Sequence, residues 1–265
     1  MLNRLLILLI LLLLYNNNLC KIQESLEYKN NLQIDKIYII NLDKDQKRLN
    51  YIKKQCNQAN IFNYIRYPAI NGESLNIENL QDKHILKLNK KSFFNHNTNK
   101  RNSLYNSIGC ALSHTNLWNK ISKTRNQNIL ILEDDIIIPP NFNKLFNQLS
   151  IPSNWDIIFL GGSRIYGSFI NTNIVKANTS NNVLYNCGLF AYIINSKSAN
   201  KISKLFSPIS TYIDVQLNRY FNKLNCYYIY PNLIKHNYNI ESSRLNNNYK
   251  YSNTFIQKAN KITIT

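Results

Sequence analysis

The sequence predicts an α/β fold, in which a mostly parallel sheet with flanking helices forms a single domain. Short β-branched and aromatic runs alternate with segments in which apolar residues recur at helical spacing. The first three elements follow one another as strand, helix and strand, which is the order that begins a parallel sheet. A chain of 265 residues is also long enough to bury a substantial core.

The first half of the chain supplies the elements that begin this sheet. The first predicted strand is DKIYIINLD (residues 35–43), and apolar residues at helical spacing predict a helix over residues 49–59. A second strand follows in IFNYIRYPAING, which Pro68, Asn71 and Gly72 end. Residues 75–101 are polar and predict loop with broken helix. A helix is then predicted in SIGCALSHTNLWNKISK, with Ser107 as its N-cap.

The second half adds three further strands to the carboxylate-bearing run at residues 128–138. They are NWDIIFLGG (residues 154–162), GLFAYIIN (residues 188–195) and CYYIYPNLIKHN (residues 226–237). A helix is predicted around residues 198–206. No internal repeat is present in the sequence.

The two ends of the chain differ from the globular segment between them. Residues 1–20 contain Arg4 and an apolar run over residues 5–14, which is typical of a signal peptide or a short signal anchor. Residues 21–34 are interpreted as a polar spacer, residues 35–240 as the folded domain and residues 241–265 as an Asn-rich tail. We therefore expect the protein in the secretory pathway, in the ER or Golgi lumen or a host equivalent, or associated with a membrane through its N-terminus.

Charge and cysteine content limit the possible partners. The formal net charge is +18, but Lys and Arg are spread along an Asn-rich chain without a basic run, so no nucleic-acid partner is predicted. A positively charged cleft that attracts a phosphate-bearing substrate remains a second interpretation of this charge.

The four cysteines after Cys20 allow two disulfides in three connectivities. Buried thiols are the expectation for Cys56 and Cys110.

Three consecutive carboxylates interrupt the buried run NILILEDDIIIPPNF. They are Glu133, Asp134 and Asp135, and like charges about 4 Å apart repel by roughly 4 kcal/mol at an effective dielectric of about 20. Side-chain alternation sends Glu133 and Asp135 to one side and Asp134 to the other. Ligands of open α/β sheets bind beyond the carboxyl ends of the strands, where a divalent cation would neutralise these acids. The alternatives are a solvated strand end or a helix-capping cluster.

Seven segments together carry a resemblance to a known family. They are IYIINLDKDQKRLNYIKKQ, YPAINGESL, IGCALSHTNLW, ILILEDDIIIPPNF, WDIIFLGG, CGLFAYIINSKSANKI and PISTYIDVQL. In order and spacing this set resembles glycosyltransferase family 25. The resemblance implies a GT-A-type, Rossmann-like fold that binds a nucleotide-sugar with Mn²⁺ (or Mg²⁺). It further implies transfer of a hexose, galactose from UDP-galactose with inversion, to a glycan or a hydroxylated protein.

The resemblance also implies roles for individual residues. The metal ligands would be Asp135 directly and Glu133 directly or through water. His236, just past the last strand, stands where many GT-A enzymes keep a terminal metal ligand, although the pattern of family 25 usually differs there. Asp214 would be the base that takes the acceptor's proton, or else only a helix N-terminal acid stabilised by the backbone dipole. Asn41 and Arg48, in a segment that resembles the family's nucleotide-side signature, and Asp134 of the acidic motif would bind the donor. Gly109 and Ser113 share a helix face, and a glycine near a helix start permits close approach of a ligand, so both are predicted to contact the donor as well.

Several of these donor roles have alternatives in the sequence. Arg48 would hold a phosphate, pair with Asp43, or be a surface helix residue with an intrahelical partner. Asn71 stands where the family usually has Asp, so a carboxylate role is lost there while the turn is kept.

The resulting prediction is a metal-dependent hexosyltransferase, and two other functions stay open. A metal-dependent phosphohydrolase would also use clustered acids at a strand end, but it normally needs further Asp and His ligands for a second metal. A catalytically inactive, glycosyltransferase-like binding protein is the non-enzymatic alternative.

Overall fold

A computed structural model describes residues 28–29, 32–88, 100–180, 185–240 and 262–264. The predicted signal segment, residues 1–20, lies outside the described residues, as do most of the predicted spacer and of the Asn-rich tail. Among the described residues, no helix combines the length and apolar character that a membrane span requires.

Strands and helices follow one another in mixed order along the described residues. The strands are β1 (Tyr28–Lys29), β2 (Lys36–Asn41), β3 (Tyr64–Pro68), β4 (Asn128–Glu133), β5 (Ile136–Ile137), β6 (Ile151–Pro152), β7 (Ile157–Phe159), β8 (Ile165–Asn171), β9 (Ile174–Ala177), β10 (Ala191–Asn195), β11 (Cys226–Ile229), β12 (Lys235–His236) and β13 (Ile262–Ile264). The helices are α1 (Gln46–Gln58), α2 (Ile77–Asp82), α3 (Lys100–Ile121), α4 (Phe142–Asn147), α5 (Ser196–Leu205) and α6 (Ile213–Asn218), and Gly72–Ser74 form a 3₁₀ turn.

Nine strands form the central sheet in the order β13-β8-β9-β11-β7-β10-β4-β2-β3. The strands β4, β2 and β3 are parallel neighbours, and so are β7 and β11. Only β9 and β10 among these nine run against the others, and β10 lies antiparallel between β4 and β7. The predicted α/β class and mostly parallel sheet are therefore confirmed, with one reversed strand at the centre.

Alternation along β4 divides the core into two layers. Ile129 and Ile131 pack in the layer that contains the α3 residue Trp118. Leu130 and Leu132 pack in the layer that contains Ile52 of α1. Successive residues thus point to opposite faces of the sheet, and the same alternation directs Glu133 towards α3.

The longest helix begins earlier than the sequence predicts. Helix α3 begins at Lys100, so Ser107 is a buried residue inside the helix and not its N-cap. The prediction was wrong because the first turns, KRNSLYN, contain few apolar residues and so carry no clear helical stripe. In the preceding polar stretch, α2 and its flanking loops match the predicted broken helix.

The cysteine alternatives are resolved for the residues that the structure describes. It joins none of Cys56, Cys110, Cys187 and Cys226 in a disulfide. Cys56 is buried on α1, where burial raises the pKa of its thiol to about 12. This cysteine therefore packs as a small apolar side chain.

A close helix–loop contact explains the glycine in the IGCALSH segment. A Cβ atom on Gly109 would lie 2.6 Å from the carbonyl oxygen of Ile70 and 2.9 Å from the backbone nitrogen of Gly72. Both neighbours are backbone atoms, which cannot swing aside. Gly109 therefore lets α3 approach the loop that follows β3.

We predict that Gly109→Ala lowers the free energy of unfolding by about 1–3 kcal/mol, because the added methyl group overpacks this contact. Urea unfolding measures the change. The control is Asn116→Ala on an exposed position of the same helix, which should stay within about 0.5 kcal/mol of wild type. A Gly109→Ala protein as stable as wild type would contradict the contact.

Candidate functional site

A cavity of about 330 Å³ opens beyond the carboxyl ends of β2 and β4. This is the edge at which open α/β sheets bind ligands. Eight of the nine predicted site residues line the cavity; they are Asn41, Arg48, Ser113, Glu133, Asp134, Asp135, Asp214 and His236. The ninth, Gly109, packs against the loop backbone described above.

Arg48 is the positive centre of the acidic wall. One terminal nitrogen of its guanidinium contacts Asp134 and lies 2.6 Å from Oδ2 of Asp135. Burial by itself lowers the pKa of Arg48, but the charges of Asp135, Asp134 and Glu133 outweigh that effect and raise it. Arg48 thus pairs with acids that are distant in sequence and not with the nearby Asp43, which instead contacts Arg66.

The bend after β4 changes which acids lie together. Alternation predicts that Asp135 shares the side of Glu133, but Asp135 and Asp134 both contact the same Arg48 nitrogen. The physical reason is that β4 ends at Glu133, so the strand geometry no longer applies to the next two residues. Two acids consequently face α1 and one faces α3.

Asn41 links the end of β2 to the acids. Its Nδ2 donates to Oδ2 of Asp134 at 2.7 Å, and its Oδ1 accepts from Nε of Arg66 at 2.9 Å. The side chain of Asn41 is almost fully buried, so these hydrogen bonds fix its orientation. Nothing in the sequence of β3 marks Arg66 for this role, because its partner lies on the neighbouring strand.

Burial controls the protonation of Asp134. It raises the pKa of this carboxyl from 3.8 to about 6, and the nearby Asp135 acts in the same direction. Arg48 and the Asn41 hydrogen bond lower the pKa without cancelling the effect of burial. The cavity wall therefore places three acidic side chains, Glu133, Asp134 and Asp135, around one guanidinium.

Glu133 contacts a buried aromatic cluster on the opposite face. Its Oε1 lies 3.1 Å from Nε2 of His114, whose Nδ1 lies 2.9 Å from the hydroxyl of Tyr192. Burial alone lowers the pKa of His114, but Tyr192, Cys110 and Glu133 together raise it well above its ordinary value. Cys110, His114 and Glu133 bring one ligand atom each to within 4.8 Å of one another, so the group could also hold a metal ion.

His236 reaches the acids through a two-stranded ribbon. Strands β5 and β12 pair antiparallel, with His236 opposite Ile136, and the Asn237 N–H donates to the backbone oxygen of Asp135 at 2.7 Å. Nε2 of His236 lies 3.4 Å from Oδ2 of Asp135. Two ligand atoms about 2.1 Å from one octahedral ion lie roughly 3 Å apart, so this pair fits a shared divalent cation. Carboxylate oxygen is also the ligand type that Mg²⁺ and Mn²⁺ prefer.

The hydroxyl of Ser113 is used within the protein. Its Oγ accepts from the Ile70 N–H at 2.9 Å and donates to the Gly109 carbonyl at 2.7 Å. The structure therefore places Ser113 at the cavity wall as the residue that fastens the loop after β3 to α3.

Asp214 lines the same cavity from the first turn of α6. Its Oδ2 accepts from the Gly188 N–H at 3.1 Å, and its Oδ1 accepts from the Val215 N–H at 2.9 Å. Gly188 has a φ of 95°, which favours glycine, and a Cβ atom there would lie 2.8 Å from the Phe190 ring. The loop before β10 is therefore shaped to hold the Asp214 carboxylate at the cavity.

Two polar aromatic residues also line the cavity, and both were missed in the sequence. The ring of Tyr238 lies 4.7 Å from that of His236, centroid to centroid. Tyr238 shares a hydrogen bond with Ser163, the two hydroxyl oxygens lying 3.2 Å apart, and Tyr212 precedes α6. Both lie in loops without periodicity, so their position depends on tertiary structure alone.

Comparison with known proteins gives this cavity a context. A family model described as glycosyltransferase family 25 (LPS biosynthesis protein) matches residues 34–217. A glycosyltransferase 25 family member of Anopheles gambiae is 27% identical over 210 residues, which are 74% of this chain and 34% of that protein. Procollagen galactosyltransferase 1 of Danio rerio is 24% identical over 200 residues, 70% of this chain and 32% of that protein.

A third relative combines two activities in its name. Procollagen lysyl hydroxylase and glycosyltransferase of Acanthamoeba polyphaga mimivirus is 26% identical over 234 residues, which are 76% of this chain and 25% of that protein. The chain thus spans about a third or less of the length of these relatives.

The raised pKa of Asp134 predicts a pH dependence of stability in EDTA. Between pH 3.8 and about 6 the native protein keeps a proton that the unfolded chain has lost. The stability contributed by this group is therefore complete below pH 3.8 and is lost as pH rises to about 6. A shift of about two units corresponds to roughly 3 kcal/mol.

Asp134→Asn removes this titration, so wild type should lose up to about 3 kcal/mol relative to the variant as pH rises from 4 to 6. Urea unfolding at several pH values measures the difference. Asp82→Asn at an exposed position is the control and should follow wild type. If the free energy of unfolding varied with pH in the same way in wild type and in Asp134→Asn, the pKa of the Asp134 carboxyl would not be raised.

Proposed function

The chain belongs to glycosyltransferase family 25, and we propose that it transfers a hexose from a nucleotide-sugar to a hydroxyl group. One observation supports the proposal: a single cavity is lined both by the acids Glu133, Asp134 and Asp135 with His236 and by the carboxylate of Asp214. Transfer needs both parts, because the leaving diphosphate must be stabilised and the attacking hydroxyl must lose a proton.

Asp135 and His236 would hold the cation, Mn²⁺ or Mg²⁺, with Glu133 supporting it directly or through water. When bound, the cation supplies Lewis-acid stabilisation of the negative charge on the leaving nucleoside diphosphate. Support for this assignment comes from the 3.4 Å separation of the two ligand atoms and from the three acidic side chains that line the cavity.

Arg48 would bind the donor diphosphate. Its guanidinium contacts Asp134 and Asp135, and its planar array of donors matches phosphate oxygens as well as carboxylates. The end of β2, with Asn41 held by Asp134 and Arg66, forms the side of the cavity that would receive the ribose or base. Ser113 and Gly109 shape this side by fastening the loop after β3.

Asp214 would act as the general base. In the proposed step it takes the proton of the acceptor hydroxyl while the oxygen forms a bond to the anomeric carbon. The bond from that carbon to the diphosphate oxygen breaks on the opposite face, so the configuration inverts. Each carboxylate oxygen accepts one backbone hydrogen bond, and a carboxylate oxygen can accept a second, so capacity for the hydroxyl remains.

Relatives suggest the substrate class. The Danio rerio protein is named as a procollagen galactosyltransferase, and the mimivirus protein as a procollagen lysyl hydroxylase and glycosyltransferase. We therefore propose UDP-galactose as donor and a hydroxylated protein or a glycan as acceptor. A secretory-pathway location or membrane association through residues 1–20 accords with such an acceptor and is part of the proposal.

The first test is a donor screen on the full chain in mild detergent. Nucleotide release is measured for several nucleotide-sugars with Mn²⁺ or EDTA, in the presence of a hydroxylysine-containing collagen peptide. We expect metal-dependent release that is fastest with UDP-galactose. Folded protein that releases nucleotide from none of these donors would contradict the enzymatic proposal.

The second test separates metal binding from chemistry. Asp135→Asn should weaken Mn²⁺-dependent UDP binding by about 10-fold or more, since it removes a charged ligand. Isothermal titration calorimetry measures the affinity, and Glu78→Gln at an exposed position is the matched control. Unchanged binding by Asp135→Asn would remove it from the metal site.

The third test addresses the base. Asp214→Asn should lower kcat by about 100-fold or more while UDP–Mn²⁺ affinity stays near wild type, because proton transfer is lost and donor contacts are kept. Steady-state kinetics and calorimetry provide the two values. Normal turnover by this variant would make Asp214 a structural helix-start residue.

A further inference from the structure

A chain of buried hydrogen bonds runs from the core to Glu133. Nε1 of Trp118 donates to the hydroxyl of Tyr192 at 2.8 Å, and that hydroxyl lies 2.9 Å from Nδ1 of His114. Nε2 of His114 lies 3.1 Å from Oε1 of Glu133. Trp118, Tyr192 and His114 are each at most 1% exposed, so water cannot replace these bonds.

The donors and acceptors in this series of hydrogen bonds determine which ring nitrogen of His114 carries a hydrogen. A carboxylate can only accept hydrogen bonds, so Nε2 of His114 must carry the hydrogen that reaches Glu133. The neutral Nε2–H form satisfies every member of the chain. The indole N–H donates to the Tyr192 oxygen, and the Tyr192 hydroxyl then donates to Nδ1. A doubly protonated ring also keeps Nε2–H, so this bond persists in either state.

We propose that His114 is a positioning residue, which fixes the orientation of the Glu133 carboxylate at the cavity wall and is itself oriented by Tyr192 and Trp118. The inference rests on the proposed function for the role of Glu133. Its geometric basis is independent of that role, because the Tyr192 and Glu133 bonds are at opposite nitrogens of one ring. Rotation of the ring would break both bonds at once.

The need for such positioning follows from the surroundings of Glu133. Arg48 holds Asp134 and Asp135 on the α1 side, whereas Glu133 points to α3 and is directed by a different partner. The bond from His114 supplies that partner from a helix packed in the core. Groups of this kind, which orient metal ligands, typically change metal affinity by about 10–100-fold when removed.

Metal ligation by the same histidine is the competing assignment. An ion held by Cys110, His114 and Glu133 would occupy the Nε2 lone pair, and Nε2 would then carry no hydrogen. The two assignments therefore differ in one observable, the protonation of Nε2.

The test combines NMR with two substitutions that divide the functions of the ring. Two-bond ¹H–¹⁵N spectra of ¹⁵N-histidine-labelled protein, recorded in EDTA and again with added Mg²⁺, should show a hydrogen on Nε2 of His114 in both conditions, whereas an ion bound to Nε2 would remove that hydrogen in the second. The amide of Gln reaches the position of Nε2 and can still donate to Glu133, whereas the shorter Asn can reach Tyr192 but not Glu133. We expect Mn²⁺–UDP affinity within about 3-fold of wild type for His114→Gln and about 10–100-fold weaker for His114→Asn.

Tyr192→Phe tests the hydrogen bond between Tyr192 and Nδ1 of His114. It also keeps the inference testable if His114→Asn fails to fold. It removes the hydroxyl that orients the ring and should weaken Mn²⁺–UDP binding by at least 3-fold. Tyr228→Phe is the matched control, because the Tyr228 hydroxyl, equally buried, makes no hydrogen bond to any residue that the structure describes. This control should bind as wild type does.

Three results would overturn the inference. They are Nε2 without a hydrogen in EDTA or with Mg²⁺, equal affinities for the Gln and Asn variants, and a Tyr192→Phe protein that binds like the Tyr228→Phe control. Wild-type protein that binds no Mn²⁺–UDP would instead contradict the proposed function, and the NMR result would still decide whether His114 donates to Glu133.

Discussion

Three carboxylates at the end of a buried strand need positive charge beside them, and Arg48 brings it from the adjacent helix. Its contacts with Asp134 and Asp135 join α1 to the end of β4. Leu49 and Ile52 anchor the same helix in the core, so the position of the guanidinium follows from the packing of α1 on the sheet. The packing of α1 in the core therefore determines where Arg48 meets the two acids, and a substitution that shifts α1 would also shift the guanidinium.

The reversed strand β10 explains how one cavity receives two chemically different walls. Because β10 runs antiparallel to β4, it begins at the edge where β4 ends. The loop that enters β10 carries Gly188 to this edge, and Gly188 holds Asp214 of α6. The acids thus follow the end of β4, next to the end of β2, and Asp214 is held by the loop that enters β10. A sheet that was parallel throughout would place that loop at the far edge.

The sequence was sufficient for features that depend on local pattern. Apolar runs located β2, β3, β4, β7, β10 and β11, and the three acids between Ile-rich flanks located the cavity. Strands β8 and β9 were missed, because their segments mix polar and apolar residues. The reversal of β10 could not be predicted, because an apolar run such as AYIIN carries no sign of direction. The same limit applies to Arg66 and Tyr192, whose partners are distant in sequence. Gly109 was noticed as a helix glycine that could admit a ligand, but the structure shows it admitting a backbone loop. The sequence thus indicated a close approach at Gly109, but it did not show that the approaching group is the backbone of the loop after β3.

The ribbon of β5 and β12 has a consequence for how the protein is made. His236 lies beyond residues 34–217, which the family model matches, and it reaches Asp135 only through the pairing of β12 with β5. Synthesis proceeds from the N-terminus, so the acids emerge from the ribosome long before their histidine partner does. A nascent chain that ends before β12 would therefore contain Asp135 and Arg48 but lack His236, the second member of the proposed ligand pair. The proposed site would be completed only by one of the last strands to be synthesised.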